Sequence, residues 1–110
     1  MIEETFNKII TRIQTTTSIT GEKKAELLTL LSALESEIAA LSKAQSEHAE
    51  SIAGFVERST HEATRRDKNS ELLRLSLAGL TASVKSFEAS HPRLVSDVNY
   101  ISVVLANMGI

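Results

Sequence analysis

The stretch "KAELLTLLSALESEIAALSKAQSEHAESIAGF", residues 24–55, decides what kind of protein this is. Leu27, Leu31, Leu34, Ile38 and Leu41 fall at alternating steps of four and three. That spacing puts one side chain per turn on a single helical stripe. The register continues through Gln45, His48, Ile52 and Phe55, four heptads in all, enough to predict coiled-coil-like packing. These nine residues are the expected seam of an oligomer. Two consecutive seam positions, Gln45 and His48, are polar, and a buried polar seam residue fixes register or partner number at a cost in stability. The stripe predicts one helix from 21 to 64, about 55 Å long over residues 21–58 at 1.5 Å per residue. An elongated molecule follows.

Upstream, Ile2, Phe6, Ile9 and Ile13, with Ile10 beside them, form a short amphipathic stripe that predicts a helix over 2–15. "TTTSITG", residues 15–21, ends it, because successive threonines lose rotamer freedom in a helix and compete for backbone hydrogen bonds. Thr20 is the expected N-cap of the next helix, with Glu22 in its first turn.

Downstream, "STHEATRRDKNSE", residues 59–71, has no apolar stripe. Ser59 with Glu62 has capping-box spacing, and Asp67 or Asn69 can cap a new helix. The long helix is expected to run into the low sixties and break near 66–70. Leu73, Leu77, Leu80, Val84 and Phe87 then resume the stripe, in a register offset by four, and predict a helix over 70–89. A break explains the offset, as does a stutter in a continuous helix.

The chain's one proline lies in "SFEASHPRL", residues 86–94. Proline pushes the residue before it out of the helical region and fits the first position of a new helix. Ser90, His91 and Pro92 therefore mark a helix boundary, with Ser90 or His91 as N-cap and Ser90 the better by chemistry. This punctuation is preferred over a chemical role for His91. A last helix over 92–108 presents Leu94, Val98, Ile101, Leu105 and Met108, widened by Val95, Val103 and Val104. A strand competes here, because the segment is rich in β-branched residues, but strict alternation fits poorly. Gly109 and Ile110 have the positions of a Schellman cap, with Ile110 folding back on Leu105. A helix apolar over so much of its circumference needs cover on more than one side. Self-association into a dimer or higher bundle would supply it, and a monomer with a thin core is the alternative.

Composition narrows the function classes. The 110 residues are 42% hydrophobic and 24% charged, with a net charge of -2 and no cysteine. One domain, 1–110, is expected, with 1–19 as a short helix and turn, 20–66 as the long helix and 67–110 as a helical hairpin. The near-neutral charge gives no field for nucleic acid or anionic lipid. Without cysteine there is no disulfide framework or thiolate metal site. No basic leader and no run of about 18 apolar residues occurs, so a cytoplasmic protein off the membrane is expected.

Chemistry-bearing motifs are absent. The histidines His48, His61 and His91 make no HExxH or ExxH pattern, so no metal is expected. The cluster Arg58, Arg65, Arg66, Lys68 and Arg74 is interleaved with Glu57, Glu62, Asp67 and Glu71, the pattern of a salt-bridged exposed surface. No glycine-rich phosphate loop and no nucleophile–base arrangement occurs, so no catalytic residue, no cofactor and no enzymatic activity are expected.

The ending "FEASHPRLVSDVNYISVVLANMGI" resembles that of the DUF4404 family of small bacterial proteins of unknown function. The matching features are Phe87 and Glu88 before Ser90, His91 and Pro92, then Leu94 and an apolar helix closing on Met108, Gly109 and Ile110. "KAELLTLLSALESEIAAL" is similar to that family's leucine-rich helix. The resemblance implies a small helical protein and no assigned activity. The expectation is an all-α, elongated antiparallel bundle or coiled-coil hairpin of about four helices, acting as a homo-oligomeric scaffold. A small regulatory factor binding another protein through its C-terminal helix is the alternative.

Overall fold

A computed structural model describes residues 2–17, 19–41 and 43–109. Among the described residues there are five α-helices and no strand: α1 (Ile2–Thr15), α2 (Gly21–Ala39), α3 (Ser46–Thr64), α4 (Ser70–Val84) and α5 (Pro92–Met108). Short 3-10 turns, Lys43–Gln45 and Lys85–Phe87, lead into α3 and out of α4.

Local chemistry sets most of these ends. Thr20 accepts the Lys23 N–H at 3.2 Å and starts α2, and Asn69 accepts the Leu72 N–H at 3.0 Å and starts α4. Each satisfies an N–H that the helix itself leaves orphaned. The break before α4 falls at 65–69, and α4 gives way to its 3-10 turn at Lys85, short of the expected 89.

The helix expected over 21–64 is two helices. Ala40 ends α2, its N–H pointing at the Ser36 and Glu37 carbonyls, and Leu41 closes a tighter bond to the Ile38 carbonyl at 3.0 Å. That shift from four-residue to three-residue bonding is how a helix commonly terminates. No glycine or proline announces it. Beyond the break the buried face of α3 is Ala49, Ile52, Ala53, Val56, Ser59, Thr60, Glu62 and Ala63, rotated from the extrapolated seam. A continuous helix of that span would measure about 66 Å, whereas the molecule's longest extent is 38 Å and its radius of gyration 13.0 Å. The elongated coiled coil is thereby replaced by a compact bundle.

Packing follows a closed circuit. α1 lies against α2 and α3, α4 lies against α3 and α5, and α5 returns to α2. Phe6, Ile9 and Ile13 from α1 meet Leu27, Leu31, Leu34 and Ile38 from α2 in one core with Ile52, Val56, Leu80, Leu94, Val98, Ile101 and Leu105. The apolar faces of α2 and α5 are thus covered within one chain.

The chain's end differs from expectation. Gly109 has φ of -85° and donates its N–H to the Leu105 carbonyl at 3.2 Å, so it continues the helix and forms no left-handed cap. A side chain there would collide with Leu73, so the glycine serves close approach between α5 and α4. Ile110 lies outside the described residues.

Polar groups meet across the α2–α5 interface at Glu37. Both carboxyl oxygens of Glu37 are hidden from solvent and without a donor, while Asp97 of α5 faces them. Two carboxylates are both acceptors, so a hydrogen bond forms only when a proton joins them. Burial first, and Asp97 second, push the Glu37 carboxyl up from 4.5 to about 7, against the opposing pull of Arg93. The fold therefore holds this proton more tightly than the unfolded chain does. Its stabilisation is complete below about pH 4.5 and is lost as pH rises through about 7. Thermal melts are expected to show Glu37→Gln more stable than wild type at about pH 8, by about 1 kcal/mol, since a half-buried group realises only part of the shift. Near pH 5 the two should coincide.

Candidate functional site

The expected seam is divided by the break. Leu27, Leu31, Leu34, Ile38 and Ile52 are buried in the core, Leu41 and Gln45 are half-buried, and His48 and Phe55 are exposed. Five of the nine residues thus pack inside one chain, and the nine do not form an oligomer surface. The two polar seam positions mark the interruption of the stripe. On α5, Leu94, Val98, Ile101 and Leu105 are buried and Met108 is half-buried, so the face expected to greet a partner is core.

At the helix boundary, Pro92 is the first residue of α5, and His91 holds the N-cap position with no side-chain cap bond. Ser90 does not cap either; its hydroxyl meets His91 Nδ1 at 2.9 Å. His91 instead donates its backbone N–H to the Phe87 carbonyl at 2.8 Å and sets its ring edgewise to Phe87, centroids 5.4 Å apart. His48 from α3 meets the same ring at 5.7 Å and 88°. Phe87, 2% exposed, is the pin that joins the α4–α5 turn to the start of α3. Phe87→Ala is expected to cost about 3–5 kcal/mol in urea unfolding, and His91→Ala, which removes one edge contact, about 1 kcal/mol. Equal costs would refute the pin.

The basic and acidic stretch is only partly the solvated surface its pattern suggests. Glu62 is 3% exposed and pairs with Arg65 at 2.8 Å and Arg58 at 3.7 Å. The sequence spacing conceals this, because α3 is buried by neighbours on two sides. Glu71 and Arg74 do form an exposed pair, and Arg74 holds the Glu71 carboxyl below its ordinary range.

What the bundle leaves outside is apolar in two places. Leu72 and Leu75 of α4 are 42% and 51% exposed, and Phe55 of α3 is 38% exposed. Phe55 lies over Gly79, where a side chain would strike its ring. Leu72, Leu75 and Gly79 succeed one another along one side of α4 at steps of three and four. Ala78 and Ala82 are exposed beside them, and the Glu71–Arg74 pair rims the row. The second place is the outer side of α5, where Tyr100 and Val103 are 62% and 59% exposed. They border a shallow cavity of about 390 Å³ with Pro92 and Val95. The α4 row escaped the sequence reading although its signal was present: five leucines in residues 72–80 exceed what one core-facing stripe needs.

Among the described residues, no three His, Asp or Glu side chains gather as a metal site would require, and no helix is long and apolar enough to cross a membrane. Residues 24–110 match the DUF4404 family, described as a domain of unknown function, and the chain belongs to that family. No curated protein and no solved structure matches it. Helix α1 precedes the matched residues.

Proposed function

We propose that this DUF4404 chain is a non-enzymatic interaction module that pairs with a second copy of itself through the outer face of α4. The carrying observation is the row of Leu72 and Leu75 with Phe55 beside it, exposed on a bundle whose core is already closed. Water-facing leucines at helical spacing, rimmed by charge, fit the anatomy of a protein interface. The rim favours a second copy as the occupant. A two-fold axis passing between Leu72 and Leu75 sets each leucine of one copy against the other leucine of its mate. The same axis brings Glu71 of one copy near the oppositely charged Arg74 of the other. Ala78, Gly79 and Ala82 add no bulk that would hold the two backbones apart.

The test is sedimentation equilibrium at tens of micromolar. Wild type is expected to be dimeric, and Leu75→Glu monomeric with unchanged helical circular dichroism, the dimer weakened at least a hundredfold. A monomeric wild type at about 100 µM overturns this reading.

A second reading rests on Tyr100 and Val103 beside their cavity: a regulatory factor that docks another protein on α5. Tyrosine at the edge of a pocket is a common anchor of binding energy. The two readings separate cleanly, because Tyr100→Ala leaves self-association untouched in both and weakens only docking on α5.

A further inference from the structure

A groove of about 850 Å³ runs between α1 and α3, on elements the α4 pairing does not use for its leucine row. Its charged lining is Lys8 and Arg12 from α1 and Arg58 from α3, against Glu57 alone. In a chain of net charge -2 this is a local excess of cations.

Two of the cations are held in place. Arg12 donates from Nε to the Thr64 hydroxyl at 2.6 Å, and that hydroxyl donates to the Thr60 carbonyl at 2.7 Å. The bond through Nε fixes the guanidinium plane and leaves its two terminal nitrogens available. Among the described residues Arg12 has no carboxylate within ion-pair distance, although it is half-buried. A partly desolvated charge is normally paired. Arg58 is steered by Glu62 at 3.7 Å, but Arg65 at 2.8 Å already meets that carboxylate more closely. Arg12 is not neutralised by the fold, and Arg58 shares its carboxylate with Arg65.

Thr60 is 1% exposed and lines the groove, and its hydroxyl has no hydrogen-bond partner. Buried hydroxyls are rarely left so. That hydroxyl is itself hidden from solvent, so within the groove it is the unpaired guanidinium edge that an anionic oxygen meets. Terminal guanidinium nitrogens match two oxygens of a phosphate in a bidentate fork. The groove's volume is that of sites for small metabolites, and Gly54, with open space where a side chain would project, keeps it wide.

We infer that the α1–α3 groove binds a small phosphorylated ligand, with Arg12 and Arg58 gripping phosphate oxygens and Lys8 adding charge. The site joins α3, inside the residues matched to the family, with α1, outside them.

Isothermal titration of the intact chain with inorganic pyrophosphate tests this at low ionic strength. Saturable one-to-one binding is expected, with Arg12→Gln weakening it at least tenfold and Lys8→Gln, on an exposed side chain, about threefold. Lys85→Gln removes one positive charge from an exposed position away from the groove and should leave affinity unchanged. Absence of saturable binding up to 10 mM pyrophosphate overturns the inference. So does a Lys85→Gln loss equal to that of Arg12→Gln, which would mean diffuse charge attraction only.

Discussion

α3 is packed from two sides at once, and the rest of the bundle is arranged around that demand. Its buried surface is made largely of small side chains, Ala49, Ala53, Ser59 and Ala63, with Ile52 and Val56 its larger apolar ones. Small residues let α1 and α4 approach closely, and close approach recovers in dispersion contacts what the small side chains lack in apolar area. The arrangement also has a cost. Ser59 and Thr60 enter the interior with hydroxyls that have no partner, and Glu62 enters as a charge. Arg65 and Arg58 compensate the carboxylate; nothing among the described residues compensates the hydroxyls. A buried acid tied to cations on its own helix and just beyond it also constrains where those cations point, so the packing of α3 shapes the surface above it.

The interruption after Ala39 makes this central position possible. A helix continuing through residues 40–45 would carry α3 away from α1 and α4, and the apolar face of α5 would have only α2 to cover it. With the break, α2 and α3 lie on different sides of the bundle, and α5 is enclosed by α2 and α4 with further contact to α3. Phe87 supports the return, since its ring gathers His48 at the start of α3 and His91 at the start of α5. The His-Pro step is therefore more than a stop signal. Proline sets where α5 begins, and the histidine ring completes the packing of the turn that precedes it.

Much of the helical order was legible because it depends on local chemistry. The limits of α1, the Thr20 and Asn69 caps and the Pro92 start are each written in one or two residues. The break at 40–45 was not, because no residue there forbids a helix; it is decided by burial, which acts over the whole molecule. Its trace was the pair Gln45 and His48 in an otherwise apolar stripe, which coiled-coil logic explains equally well as register-setting. Once the register is continued falsely, Phe55 is assigned to the core and the face of α3 is misplaced by one residue. The groove was beyond reach for a related reason. Lys8 and Arg12 are separated from Arg58 by more than forty residues, and the orphaned Thr60 hydroxyl is visible only when its surroundings are known. The basic cluster was legible only as composition.

The closed core changes what association means for this chain. From the stripe alone, a partner was needed to cover surface that the monomer could not bury. In the bundle that surface is already covered, so partnering is not a condition of folding. Leu72, Leu75 and Phe55 then need a different account. Their exposure opposes solubility and contributes little to the core, and α4 carries charged or polar residues elsewhere on its exposed side, at Glu71, Arg74 and Thr81. A row that folding does not require and that solvation disfavours is best explained by a surface that meets another. On the proposed pairing, contact adds to a folded monomer and would be governed by concentration. The same independence applies to the α1–α3 groove, whose cations are oriented by bonds within the monomer. Ligand and partner would then act on one fold from separate surfaces, coupled only through α3, the element that borders both.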